Sequence, residues 1–221
     1  MSLVTEPRLR NHFPDLEVLS IPINGVVVTS RDEALEEFKR KVEDYVRGHY
    51  TLEALKDIRC FRLYRDFFWG IGIDPTKIRP AAEALIRRIL GGRHLPTINN
   101  LVDSYNLASV KTCIAMAAFD SDRLKGRLTL RFAANGEEFL GIAMDHPLYT
   151  KGGEVVIADE ERLISIYPYR DGEYSKVTTK TRNVLVIVCG VPGIGEEDLQ
   201  EAADTVTQYI TRYCGVVGSN L

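Results

Sequence analysis

The spacing of apolar positions changes several times along this chain, and each change marks an expected element. Residues 1–20 show no clean period and contain Pro7 and Pro14, which predicts an irregular arm. Residues 21–28 read as a short strand interrupted by Gly25. Ser30 and Glu33 have capping-box spacing, in which each side chain satisfies a free backbone N–H of a first helical turn. Leu35, Phe38, Val42 and Tyr45 then recur at helical intervals until Gly48. Thr51 opens a second, shorter helix, 52–58. Residues 59–73 interleave Phe61, Tyr64, Phe67, Phe68 and Trp69 with Arg59, Arg62 and Arg65. Such a mixture can stack on unpaired bases. It also builds ordinary cores with charged rims, and Phe67, Phe68 and Trp69 are read here as core. Pro80 suits a first helical turn, Ala81, Ala84, Leu85, Ile86 and Ile89 supply an apolar face, and Gly91-Gly92 stop the helix.

The second half reads mainly as strands. Residues 128–132 alternate as a half-buried strand, Asn135-Gly136 signals a turn, and 139–143 are expected to pair back. After Gly152-Gly153, strands 154–158 and 163–167 flank the acidic tip Asp159-Glu160-Glu161. Residues 169–182 form a long polar loop rich in hydroxyls, 184–188 a fully buried strand, and 196–214 a closing helix. The order predicts one mixed α/β (α+β) domain over 1–221, layered, with mostly antiparallel strands and flanking helices. No Pro-, Gly- or Ser-dense linker and no repeat divides it.

The densest polar content among apolar residues lies in 95–132. Asn99, Asn100, Asp103, Asn106 and Asp120 need hydrogen-bond partners if the apolar residues around them are buried. Two readings stand: a polar network that fixes a turn, or the wall of a binding pocket.

Composition narrows the chemistry. Apolar residues make up 45% and charged residues 27% of the 221, as in ordinary globular proteins. No apolar run approaches the ~20 residues of a membrane span, and no secretory leader is read at the N-terminus. The cysteines, Cys60, Cys113, Cys189 and Cys214, stand singly, as do the histidines, His12, His49, His94 and His146. Their spacing fits no metal site, so no metal and no cofactor is expected, and the cysteines read as reduced residues of a cytoplasmic protein. A net charge of −3 argues against holding nucleic acid by bulk charge. Within 56–93, however, Lys56, Arg59, Arg62, Arg65, Lys77, Arg79, Arg87, Arg88 and Arg93 outweigh Asp57, Asp66, Asp74 and Glu83. A local basic patch is compatible with that excess. There is no GxGxxG, P-loop or GxSxG motif.

One ordered series carries a resemblance. Pro96, Asn99-Asn100, Val102-Asp103, Asn106 and Ala118-Phe119-Asp120 follow one another without a gap. Arg131 and Gly136-Glu137 come next, Asp74-Pro75-Thr76 precedes the series, and Thr181-Arg182 closes it. Over 59–190 the chain resembles the tRNA-binding, editing domain of the phenylalanyl-tRNA synthetase beta subunit, as a free-standing relative too short to carry the synthetase's other modules. The resemblance implies a layered α/β fold. The family activity is hydrolysis of the ester that joins tyrosine to the phenylalanine tRNA. Such an ester is already reactive, so positioning a water and stabilising an oxyanion can suffice.

By that resemblance the substrate-binding candidates are Asn99, Asn100, Tyr105, Asn106, Asp171 and Tyr174. The catalytic candidates are Asn106, Arg131, Thr178 and Thr181. Arg59, Arg62, Arg65, Arg79, Arg87, Arg88 and Arg93 are the candidates for RNA contact. The implied partner is an aminoacylated tRNA, with neither DNA nor a membrane. Two positions depart from the family pattern: Tyr105 where the family has threonine, and Ala117 where it has histidine. The alternatives are a non-catalytic tRNA- or RNA-binding module and a binder of small amino-acid-like molecules using the same pocket.

Overall fold

A computed structural model describes residues 3–215. The chain runs through β1 (Leu3–Thr5), α1 (Pro7–His12), β2 (Val18–Asn24), α2 (Glu33–His49), α3 (Arg59–Gly70), α4 (Ala81–Leu90), α5 (Asn100–Thr112) and β3 (Ala115–Asp120). It continues through β4 (Leu128–Phe132), β5 (Asn135–Phe139), β6 (Leu148–Lys151), β7 (Val155–Ala158), β8 (Leu163–Ile166), β9 (Arg170–Asp171), β10 (Asn183–Cys189) and α6 (Glu196–Cys214). This is the mixed α/β architecture with mostly antiparallel strands that the patterning predicts.

Two larger sheets carry the core, and β5 and β6 form a third, two-stranded one. The first is antiparallel, in the order β2-β10-β3. Its middle strand is the continuous apolar run 184–188, buried on both faces, as a run without alternation requires. α5 and α6 pack against each other and against this sheet. The second sheet runs β1-β4-β7-β8-β9. Tyr64 of α3 joins the end of the first sheet's middle strand to the start of its β3 edge. Its hydroxyl donates to the Cys189 carbonyl and accepts the Ala115 N–H at 2.9 Å.

Several expectations are corrected. Residues 3–20 are not an irregular arm: β1 lies parallel to β4, with Leu3 opposite Leu128, and Pro7 occupies the first turn of α1. Both elements are too short to show a period. The cap of α2 is Asp32, whose carboxylate accepts the Leu35 N–H at 2.8 Å, and not Ser30. Residues 52–58 hold only a 3-10 turn, Ala54–Asp57. Trp69 is 58% exposed while Phe67 and Phe68 are buried, because α3 turns its last residues toward solvent. Residues 139–143 do not pair with β4. Gly136, with φ +84°, lies inside β5, which pairs with β6, while β4 lies between β1 and β7.

The polar residues that open α5 form a network. Asn99 is the helix cap, accepting the Val102 N–H at 2.9 Å. The Asn100 amide ties two separate backbone segments, 27–29 and the end of α6: it donates to the carbonyls of Val27 and Tyr213 and accepts the Thr29 N–H. Asp103 takes the Lys39 ammonium at 3.0 Å and the Ile98 N–H at 3.1 Å. Lys39 also reaches Glu36, Thr97 and the Pro96 carbonyl. The side chains of Lys39 and Asp103 are 4% and 2% exposed, so neither charge has water to fall back on. Removing one member of such a buried pair typically costs about 3–5 kcal/mol. Lys39→Met should therefore destabilise the fold by about 3 kcal/mol in urea unfolding. A loss below about 1 kcal/mol would show that the pair is not what fixes the start of α5.

Candidate functional site

The apolar run that forms β10 ends at Cys189, just where the two sheets and α5 converge, and a cavity remains there. It has a volume of about 140 Å³. α5 contributes Tyr105 and Asn106, β3 contributes Met116 and Ala117, and β10 contributes Cys189. The second sheet adds Ile157 from β7, Ser165 from β8 and Asp171 from β9. Ala81 at the start of α4 and the Pro168-Tyr169 corner complete the wall.

The polar groups of this wall are left with spare bonding capacity. Among the described residues, the side chains of Tyr105 and Asn106 make no hydrogen bond within the protein, and each keeps part of its surface open. The Asp171 carboxylate has one partner, the Ser165 hydroxyl at 3.2 Å, which also lies 3.1 Å from the Arg170 carbonyl. A hydroxyl has one proton to give, so the two acceptors compete for it. Burial is the main influence on Asp171 and pushes its carboxyl up to about 7, with the Ser165 contact pulling weakly the other way. Burial, and then the Asp171 charge, push the Tyr105 phenol up as well. The same two causes hold the Cys189 thiol well above its usual range, so it is no ready nucleophile. The arrangement can hold a small group carrying a donor or a positive charge. Asn106 can both donate to and accept from a bound molecule. The one hydroxyl paired with an acid in the wall is Ser165, whose proton is shared between Asp171 and the Arg170 carbonyl.

The structure brings together only some of the candidates. Tyr105, Asn106 and Asp171 meet at the cavity; Asn99 and Asn100 do not. At 3.6 residues per turn, Asn100 and Tyr105 lie roughly 140° apart around α5, so one face anchors the helix while the other lines the hollow. Arg131 is spent on a two-pronged pair with Glu137, at 2.8 and 2.6 Å. Thr181 donates to the Asp120 carboxylate at 2.6 Å and accepts the Thr178 N–H at 3.0 Å, which locks the 178–181 turn rather than facing the cavity. Tyr174 lies in a separate outer groove of about 630 Å³, under the Arg162 guanidinium.

Of the candidate RNA-contact arginines, Arg65 and Arg87 both pair with the buried Glu83. Arg59 pairs with Asp198, and Arg88 donates to the His94 carbonyl. Arg62, Arg79 and Arg93 are exposed and carry no ion pair among the described residues. Sequence reasoning missed Ser165, Tyr169 and Cys189 as wall residues. The signal for Cys189 was its place at the end of the buried run; Ser165 and Tyr169 carried none. Among the described residues no three His, Cys, Asp or Glu side chains cluster to hold a metal, and no helix is long and apolar enough to cross a membrane.

Comparison with known proteins places this cavity inside a recognised unit. The B3/4 domain matches residues 63–215, which include every cavity residue. The phenylalanine–tRNA ligase beta subunit of Fusobacterium nucleatum is 34% identical over 131 residues, 59% of this chain and 15% of that subunit. The Bartonella henselae subunit is 36% identical over 107 residues, 48% of this chain and 13% of that subunit. The crystal structure of an N-terminal fragment of the phenylalanyl-tRNA synthetase beta subunit from Pyrococcus horikoshii superposes with a TM-score of 0.52 at 14% identity, covering 96% of this chain and 48% of that one. That likeness is one of fold. The chain thus spans a small part of the ligase subunits it matches.

The raised Asp171 carboxyl has a consequence for stability. Its value moves from the ordinary 3.8 to about 7 on folding. Between those limits the folded chain keeps a proton that the unfolded chain has released, so stability falls as pH rises through this window. Asp171→Asn abolishes the effect. After discounting for water reaching the cavity, the variant should gain about 2 kcal/mol over the wild type on going from pH 4.5 to pH 8. Paired thermal melts read this directly, and a gain that does not change with pH would contradict it.

Proposed function

Because the chain belongs to the B3/4 domain family, we propose that it binds the aminoacylated end of a tRNA and lodges the aminoacyl group in the cavity beside Asn106. The observation that carries the reading is an unfilled hollow whose polar groups are unspent, within the segment shared with tRNA ligase subunits. A module that only gripped RNA would have no use for a recess lined by Asn106, Tyr105 and Asp171. Arg62, Arg79 and Arg93 are the unpaired cations offered to the phosphates, and Arg79 stands two residues before Ala81 at the cavity wall.

On this reading the protein is a deacylase acting in trans on mischarged tRNA. The Cys189 thiol is held protonated and the Ser165 hydroxyl is hydrogen-bonded within the wall, so on this reading water attacks an ester that is already reactive. Asn106 is the group placed to orient that water or to stabilise the oxyanion; a single such hydrogen bond is worth about 10²–10³ in rate. The second reading, RNA binding without cleavage, is favoured by one specific observation: of the expected catalytic groups, Arg131 and Thr181 are committed elsewhere and the Thr178 hydroxyl, which accepts the Lys180 N–H, does not line the cavity.

A panel of mischarged tRNAs separates the two. The deacylase reading expects at least one ester to be lost well above the buffer rate and Asn106→Ala to slow that loss about 100-fold. Buffer-rate decay across the whole panel removes that reading. For binding, Arg79→Ala and Arg62→Ala should each weaken tRNA retention and make it less steeply dependent on salt. Undetectable retention of tRNA at low salt would end the RNA reading altogether.

A further inference from the structure

The least exposed acids of the described chain each have at least two separate donors: Asp120 has the Thr181 hydroxyl and the Asp122 N–H. Asp103 has Lys39 and a backbone N–H. Glu83 has Arg65 and Arg87, and Glu43 has Arg47, the His94 ring and the Leu95 N–H. Asp159 accepts three backbone N–H groups. Asp171 has only a shared serine hydroxyl, and the open space beside it is bounded by two tyrosines, Tyr105 and Tyr169. A carboxylate with aromatic neighbours and no cation of its own is the chemistry that captures ammonium groups, through charge and through the electron-rich ring faces.

We propose that the cavity is a binding site for a primary ammonium group on a short aliphatic chain, with Asp171 as the counter-ion and Tyr105 and Tyr169 in the wall around the cation. Size sets the chain length. A dry cavity of about 150 Å³ takes a benzene ring, six heavy atoms, so 140 Å³ takes five or so. Butylammonium has that number. Ile157, Met116 and Ala117 provide the apolar wall for its methylenes. In biology the ammonium comes from an amino acid, either its α-amino group or an amino-terminated side chain. This deepens the aminoacyl reading given above, but the site itself stands on the cavity and does not need RNA.

Binding is linked to pH. The ligand is a cation throughout the neutral range, so only Asp171 has to change state. The titratable groups facing it from the packed elements are Tyr105 on α5, Cys189 on β10 and Tyr169 at the corner, all pushed upward mainly by burial and so uncharged near neutrality. The stem of Arg170, next to Asp171 on β9, lies over Gly141, and its residue is exposed. Affinity should therefore rise about tenfold per pH unit up to about 7 and then level off.

The test is calorimetric titration of the folded protein with butylammonium chloride and with butan-1-ol, its neutral counterpart, from pH 5.5 to pH 8.5. The proposal expects butylammonium to bind at least tenfold more tightly above pH 7 and to lose that advantage as the pH falls. Asp171→Asn should erase the preference, and the wild-type pH profile decides the matter even if that variant folds poorly. Equal binding of the alcohol, no binding of either probe, or an advantage that does not change with pH would overturn the proposal. L-Norvalinamide and L-ornithinamide at pH 7 then identify the source. Binding of both at the butylammonium level assigns the α-amino group, and binding of ornithinamide alone assigns the side chain. Loss of tRNA retention in the earlier experiment would sink the RNA reading without touching this result.

Discussion

The buried ion pair between Lys39 and Asp103 sets the rotation of α5, and most of what the molecule can do follows from that rotation. A helix is free to turn about its axis unless something polar pins it, since apolar contacts tolerate several settings. Here Asn99 caps the helix, Asn100 holds two backbone segments at once and Asp103 is gripped by the ammonium of α2. With that face committed, Tyr105 and Asn106 are presented to the space between the sheets. The same contacts draw the 95–99 loop onto α2 through Pro96 and Thr97. The polar residues of the central stretch are thus both a structural network and a binding wall, divided between two faces of one helix.

The local elements were legible in the sequence where they were long or unambiguous. The buried run 184–188 lies within β10, the alternating 128–132 is β4 residue for residue, and the Pro80 start and Gly91-Gly92 stop bracket α4. What stayed hidden was non-local pairing. Nothing in 128–132 says that its neighbours are residues 3–5 on one side and 155–158 on the other, because periodicity reports which face is buried and not against what. Asp171 illustrates the same limit. It sits on a two-residue strand within a polar loop, and only its pairing with β8 carries it to the cavity. Family likeness brought it onto the list of candidates along with Tyr174, and folding sent the two to different hollows.

The resemblance also marked two departures, Tyr105 and Ala117, and both line the cavity. A tyrosine in place of a smaller hydroxyl residue fills space from the helix side, while an alanine in place of an imidazole opens space from the β3 side and removes a titratable group. The one acid in the wall of this hollow is Asp171.

That acid is a structural liability. A carboxyl pushed up to about 7 by burial weakens the fold at neutral pH, and an amide of the same shape would not. The buried acids of the described chain each have at least two separate donors, whereas Asp171 has one shared hydroxyl. Stability given up at one unfilled, polar-lined hollow, with a rigid two-sheet scaffold around it, is the pattern expected where a ligand supplies the missing contact. The network at the start of α5 and the solitary acid at the end of β9 are therefore two halves of one arrangement: the first spends polar groups to hold the wall still, and the second leaves one unspent for whatever enters.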